Sequence, residues 1–467
     1  MGTPSARVGV VLGVDIGSTN TKVAALDEDG RVVARARRAT PRRAGPSVDA
    51  AELFDLVEEL VLEVCGERFA VRAVCAAGVG EDGVLVDEAL RPLTPALAWF
   101  APQRTGVFRE LQPHLAPAAD LGTAADPART LVGWAWARRR EGAERAAAWL
   151  SLTDYASCRW SASPFLSDTL AARTAAWQTR GRRWVEERVR LTLGTRELLP
   201  PVVRTGLPVG PLRSERLGGA GVLADDAVVV AGGHDHPVGG WGVDRLSPGA
   251  ILDSMGTAEV VVFQSPAPHP DVPDGTDTAA GIRSDGTTLL HVEELARNVQ
   301  WASGDTAVGE AIQRIVSGEL APDEHLLTDA FLPGAAGGAE PAYAPGAPEA
   351  PASRASAVLG ALAKRSGQAV QAIAEQAEQA GAGDLAVHTA GGWARSPGWI
   401  AVKQAVTGQP VTVLSEPEVT AVGAALLAAA ACGWEADAAR ALAPAPAPTA
   451  PTGPTRHHRP GTRLLRR

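Results

Sequence analysis

The chain is short of the residues that build cross-links, membrane spans and cationic surfaces. Its four cysteines, Cys65, Cys75, Cys158 and Cys432, are scattered and form no CxxC pair. That argues against a disulfide framework or a zinc knuckle and predicts a reduced, cytoplasmic setting. The longest apolar run, "VTAVGAALLAAAACGW", falls short of the ~18 residues a membrane span needs. The N-terminal stretch "MGTPSARVGVVLGVDIG" is interrupted by Asp15 and reads as a first strand, not a signal peptide. Lysine is nearly missing, with only Lys22, Lys364 and Lys403. The net charge of -9 argues against a general nucleic-acid binder. It leaves room for small anions held by local groups.

What is present is globular. A chain of 467 residues, 45% hydrophobic and 21% charged, has more than one core. "RVGVVLGVDIG" and "TKVAALDEDGRVVARARR" read as three strands with a turn at Asp29-Gly30. "DAAELFDLVEELVLEVC" has apolar residues at helical spacing. "VRAVCAAGVG" and "AVVVAGGHD" are strands with glycine-rich exits, and residues 127–195 read as mostly helical. Near residue 246 the opening plan recurs. "GAILDSMGTAEVVVF" repeats the strand, polar glycine turn and strand of "VVLGVDIGSTNTKVAAL". The division expected is 1–245, 246–440 and a Pro/Ala/Arg tail, 441–467. The composition of the tail cannot bury a core and predicts disorder.

Four polar turns carry candidate chemistry. In "GVDIGSTNTK" the amides of Gly17, Ser18 and Thr19 suit phosphate oxygens. Strand spacing sets Lys22 toward the same site, and Asp15 suits a Mg²⁺ ion held through water. In "DSMGTAE", Gly256 and Thr257 repeat that cradle. In "TAGGWARSPGW", Gly391 and Gly392 give a floor for a flat base. Ser396 then reads as a helix N-cap, Pro397 as the first helical residue and Gly408 as the stop. In "GGHDHPVGG", strand alternation predicts that His234 and His236 point away from Asp235. No third ligand follows at a zinc-site spacing. Asp235 suits a base that takes a proton from a hydroxyl attacking a phosphoryl group.

These four turns, in this order, resemble the FGGY family of carbohydrate kinases, from about Val8 to Gly433. The resemblance implies an α/β fold of two actin-like ATPase (ribonuclease-H-like) domains around an interdomain cleft. It implies ATP and Mg²⁺ as cofactors and a small sugar or polyol as substrate. It makes Asp235 the general base and Asp15 the Mg²⁺-associated acid. Thr19, Gly256 and Thr257 meet the phosphates, and Gly391, Gly392 and Ser396 line the adenosine pocket. Substrate contacts fall on Glu81 and Asp82 in "AAGVGEDGVLVD", on Trp99, and on Asp168 in "SDTLAART". The family's W-x-D pattern ends in Ala101 here, and the stretch after Pro333 is shortened. A cyclitol therefore stays open as acceptor beside a ketose. So do a sensor on the same fold and an actin-like or chaperone ATPase. No nucleic acid or membrane is expected as partner, and a homodimer is the assembly to test.

Overall fold

Val8 to Ile16 is apolar at nearly every position, the pattern of a central strand covered on both faces. In the computed structural model this stretch is β1 (Val8–Ile16), buried along most of its length. The structure describes residues 7–42, 45–256, 258–268, 275–334, 340–379, 381 and 385–443. β1 pairs antiparallel with β2 (Asn20–Leu26), and β2 with β3 (Val32–Ala39). The chain then forms helix α1 (Ala50–Cys65) and returns as β4 (Phe69–Gly78), parallel to β1. After helix α2 (Leu152–Ser161), β5 (Pro208–Pro211) leads into β6 (Leu223–His234), which runs parallel to β4. The sheet order is β5-β6-β4-β1-β2-β3.

Helix α3 (Asp235–Leu246) carries the chain into a second sheet. There β7 (Ile251–Met255), β8 (Glu259–Ser265), β9 (Thr276–Ala280) and β10 (Thr287–Glu293) pair antiparallel. The long helix α4 (Pro351–Gln379) follows, and β11 (Val387–Ala390) then lies parallel to β7. Helix α5 (Pro397–Thr407) leads to β12 (Thr412–Val413), parallel to β11. The order is β9-β10-β8-β7-β11-β12. Both sheets thus share a central plan, three antiparallel strands (β1-β2-β3 and β7-β8-β10) with two further strands parallel to the first, and each adds one antiparallel edge strand, β5 or β9. The sequence repeat is a structural repeat.

Strand alternation sets which helices each face meets. Val10, Leu12, Val14 and Ile16 join a core with α1 and α2 residues such as Leu53, Val57 and Tyr155. Val11, on the other face, joins a core with α3 and the last long helix, α6 (Val419–Ala431). Leu252, Val260 and Val262 of the second sheet enter that same core. Helices α3 and α6 therefore form one layer between the two sheets. Each fully buried Val or Leu in it contributes about 1.5–3 kcal/mol.

Two expectations need correction. Residues 127–195 are not mostly helical. They form short helices, Thr130–Ala137, Leu152–Ser161, Asp168–Ala171 and Glu186–Thr192, between short strands and turns. The tryptophans there build their own core around Trp134, Trp149, Trp177 and Trp184, and only a chain that turns repeatedly brings them together. The folded chain also passes residue 440: Leu442 ends the helix Ala438–Leu442 and is fully buried. The rest of the expected tail, from residue 444, lies outside the described residues. No helix among the described residues is long and apolar enough to cross a membrane.

Candidate active site

Three parallel strands of the first sheet end in register. Ile16 of β1 pairs with Gly78 of β4, and Gly78 with His234 of β6. Asp15, Glu81 and Asp235 therefore leave the sheet at one carboxyl edge, where open α/β sheets bind ligands. With strands ~4.8 Å apart, β1 and β6 are separated by about 10 Å. The carboxyls of Asp15 and Asp235 are close enough to interact. Burial raises the pKa of Asp15, and the charge of Asp235 raises it further while Lys22 opposes the shift.

Lys22 is the cross-strand partner of Asp15. Its Nζ lies 3.1 Å from Asp15 Oδ2 and 2.6 Å from Glu418 Oε2. Held between two carboxylates, its ammonium is kept charged. Its pKa lies above the ordinary lysine value, the two acids outweighing burial. Strand spacing set it toward the phosphate site, and in the structure its ammonium is shared by these two acids. In the turn itself, the Gly17 amide donates to Asn20 O at 3.1 Å, so it is not available to an anion. The amides of Ser18 and Thr19 have no partner among the described residues. Ser18 is braced: its Oγ accepts the Trp99 indole N–H at 2.9 Å, and its carbonyl accepts from Arg42.

Asp235 is the first residue of α3, and its Oδ1 accepts the His236 amide at 2.7 Å. Both imidazoles face it. His234 Nε2 lies 3.2 Å and His236 Nε2 3.5 Å from Asp235 Oδ1. The expectation that they point away is overturned, because β6 stops at His234 and the helix begins at once, ending the alternation. Burial raises the pKa of Asp235, with His236 opposing. Burial and the neighbouring Arg173 hold His234 well below its ordinary value, so its ring is neutral.

The second sheet ends in the same manner. Ser254 of β7 pairs with Ala390 of β11. Gly391 follows at φ 97°, and a Cβ there would meet Met255 O at 2.3 Å, so the loop and the β7 turn touch. A Cβ at Gly392 would meet nothing within 4 Å, which leaves an open floor. Ser396 precedes α5 at the N-cap with no side-chain capping bond, Pro397 is the first helical residue and Gly408 ends the helix at φ 68°. The Gly256 amide donates to Ala258 O at 2.9 Å and, like that of Gly17, is engaged within its turn. Thr257 lies outside the described residues.

Residues 10–242 match the family described as "FGGY family of carbohydrate kinases, N-terminal domain". The chain belongs to the FGGY family. Among curated relatives, L-fuculokinase of Salmonella typhi is 25% identical over 62% of this chain and 66% of its own length. Xylulose kinase of Streptomyces coelicolor is 30% identical over 58% of this chain and 57% of its own length. The matched stretches thus span less than two thirds of these relatives. Among solved structures, xylulose kinase from Rhodospirillum rubrum superposes with TM-score 0.79 at 19% identity, over 94% of this chain and 93% of that one. Gluconate kinase from Lactobacillus acidophilus gives 0.78 at 16% identity, over 94% and 93%. At these identities the likeness is one of fold: two actin-like domains.

Within this FGGY chain the two adjacent acids part company. Glu81 accepts from Arg173 Nε at 2.8 Å. Asp82 turns inward, 3.6 Å from the buried Arg104, and its Oδ1 has no hydrogen bond among the described residues. Burial pushes the Asp82 carboxyl up to about 7. The two acids expected to face a polyol thus have different surroundings, Glu81 against Arg173 and Arg129 and Asp82 against the buried Arg104. Successive side chains leave the turn in opposite directions, one to Arg173 and one to Arg104. Asp168 is also buried. Its Oδ1 accepts from the Thr205 amide at 3.1 Å and hydroxyl at 3.0 Å. The neighbouring Thr169 Oγ1 accepts the His234 amide at 3.1 Å. This segment buttresses the strand end that delivers Asp235.

Sequence reasoning missed Arg173, Arg129, Thr169, Thr205 and Glu418. Arg173 sits in the "SDTLAART" stretch that marked Asp168. Its partners, Glu81 and Asp277, lie 92 and 104 residues away in the chain, which no spacing rule signals. Glu418 was hidden because its partner Lys22 lies near the other end of the chain.

Proposed function

We propose that this chain is an ATP-dependent kinase that transfers a phosphoryl group to a hydroxyl of a small sugar or polyol. The observation that carries the reading is the convergence of Asp15, Glu81 and Asp235 on one strand edge. The division that goes with it is a sugar-binding domain, 1–245, and a nucleotide-binding domain from 246 through the buried helix Ala438–Leu442. The chemistry of the nucleotide pocket fits the group: an open floor at Gly392, an uncapped Ser396 hydroxyl and two unengaged amides at Ser18 and Thr19. ATP, when bound, supplies the phosphoryl group, and Mg²⁺ the charge that offsets its oxygens. Asp15, Thr19 and Thr257 are the residues that would hold them, with Gly256, where a Cβ would meet only Ala258 O at 3.8 Å, leaving room for close approach.

The chain's own part is positioning and proton transfer. Glu81 accepts hydrogen bonds from substrate hydroxyls, and the face of Trp99 packs on the carbons. Asp235 Oδ2 takes the proton of the attacking hydroxyl, while the His236 amide and the two imidazoles hold Oδ1. Domain closure keeps water, the competing acceptor, away from the phosphoryl group.

The test is ADP release across ketopentoses, deoxyketoses, aldoses, polyols and cyclitols. The names of the relatives put xylulose and fuculose first. ADP release that no sugar stimulates would remove the reading, and sugar-independent hydrolysis would favour an ATPase. A base must be ionised to act, and the pKa of Asp235 is raised above its ordinary 3.8. The kcat/KM profile is therefore expected to lose rate on the acid side with a midpoint above that value. A flat profile down to the ordinary carboxylate range would count against Asp235. Glu81→Gln keeps the shape but weakens a charge-assisted bond, so the sugar KM is expected to rise by about 10–100-fold. Nucleotide affinity should be unchanged by calorimetry. Gel filtration with light scattering decides on the homodimer.

A further inference from the structure

Glu81 does not stand alone in the first sheet's half of the molecule. Arg173 Nε and Nη2 both reach its Oε1, at 2.8 and 2.7 Å. The remaining arm of that guanidinium, Nη1, donates to Asp277 Oδ2 at 2.6 Å. Asp277 belongs to β9, the edge strand of the second sheet. One planar cation thus spans the two halves. Arg129 reinforces it, with Nη1 3.7 Å from Glu81 Oε1 and Nη2 3.6 Å from Asp277 Oδ2. Beside this bridge, the Thr278 amide donates to Gly122 O at 2.7 Å, so β9 is stitched to the first half by its backbone as well. Arg173, Glu81 and Asp277 side chains are only 9%, 9% and 15% exposed. Such bonds are screened little by solvent, and a guanidinium fork holds two carboxylates in fixed directions.

We infer that Arg173 is a positioning residue for Glu81, anchored from the opposite sheet by Asp277, so that the acid expected to hold the sugar is set only when the two halves are together. The inference rests on the kinase reading for the role of Glu81 but not for the bridge itself. Without Asp277, Arg173 keeps one partner and gains freedom to swing, and Glu81 follows it. Sugar recognition would then report closure, although Asp277 need never touch the sugar. Arg173 and Glu81 also act on the charge of Asp235, but Asp277 makes no contact with Asp235 or the phosphate turns among the described residues, so its loss should affect the chemical step and nucleotide binding much less.

Asp277→Asn keeps the volume and removes the charge. The expected result is a sugar KM raised by about 10–100-fold, the value of one charge-assisted bond, with kcat and nucleotide affinity changed by less than about threefold. In the ligand-free full-length chain, hydrogen exchange at the Thr278 amide should quicken. Arg173→Lys, which cannot span both acids, should raise KM alike, and the double variant should be no worse than either single one. Unchanged KM and unchanged Thr278 exchange in Asp277→Asn would overturn the inference. So would KM effects of the two variants that simply multiply. If no sugar stimulates ADP release by the unaltered protein, the kinase reading fails, while faster Thr278 exchange in Asp277→Asn would still establish the bridge between the halves.

Discussion

Replacing Asp235 by Asn is expected to cut turnover by about 10²–10⁴, the span for losing general acid–base help, with nucleotide affinity largely intact. The reasoning is local. Asn retains the size and the acceptor that receives the His236 amide, 2.7 Å from Oδ1 in the native site. The helix start and the approach of His234 and His236 should therefore survive. What disappears is the oxygen that can accept a proton. Burial holds the native carboxyl above its ordinary pKa, which makes it a better base than an exposed aspartate. Rapid-quench measurement of the transfer step separates this from slow product release. Native turnover in the Asp235→Asn variant would remove the acid from the mechanism.

The largest expected effect on folding comes from a glycine far from any reacting atom. Gly13 lies in β1 on the face toward α6, where a Cβ would sit 1.8 Å from Ala421 O and 2.5 Å from Ala425 N. Both are backbone atoms of a helix that also packs on α3, so neither can step aside as a side chain would. Gly13→Ala must push α6 away from the sheet. Overpacking of this kind costs about 1–3 kcal/mol or more. At an unfolding entropy of about 2.1 cal/mol/K per residue, a chain of 467 residues shifts by about 1 °C per kcal/mol, so thermal melting should fall by about 1–3 °C or more. Because α6 joins both sheets to one core, sugar and nucleotide affinity should weaken together. Gly106→Ala is the control. That glycine lies exposed in the helix Gln103–Leu111 with nothing within 4 Å of its Cβ, so the change should be neutral or slightly stabilising. Equal melting temperatures for the two variants would show that α6 is not held in place by this contact.

Much of the architecture was readable because it depends on short-range patterning. The apolar run of β1, the Asp29-Gly30 turn, the Asp49-led helix α1 and the Ser396-Pro397 start of α5 are all set by neighbours a few residues apart. The recurrence of one strand–turn–strand plan at Val11 and Ile251 foretold two sheets of one topology. Asp15, Asp235 and the Gly391-Gly392 loop stood out because each closes a strand with residues that a buried strand does not otherwise tolerate.

Direction and pairing were a different matter. The sequence set Glu81 and Asp82 side by side, yet one faces Arg173 and the other Arg104. It set Lys22 toward the phosphate site, and only the fold showed that Glu418 shares that ammonium with Asp15. It put His234 and His236 behind Asp235 by alternation, and the change from strand to helix brought both round to face it. The local pattern by itself determined which segments are strands and helices and where their polar turns fall, because those follow from backbone sterics and burial over a few residues. Only the tertiary structure decided which charge meets which. Ion pairs such as Arg173–Asp277 and Lys22–Glu418 join segments far apart in the chain, and their geometry exists only once α3 and α6 have drawn the two sheets together.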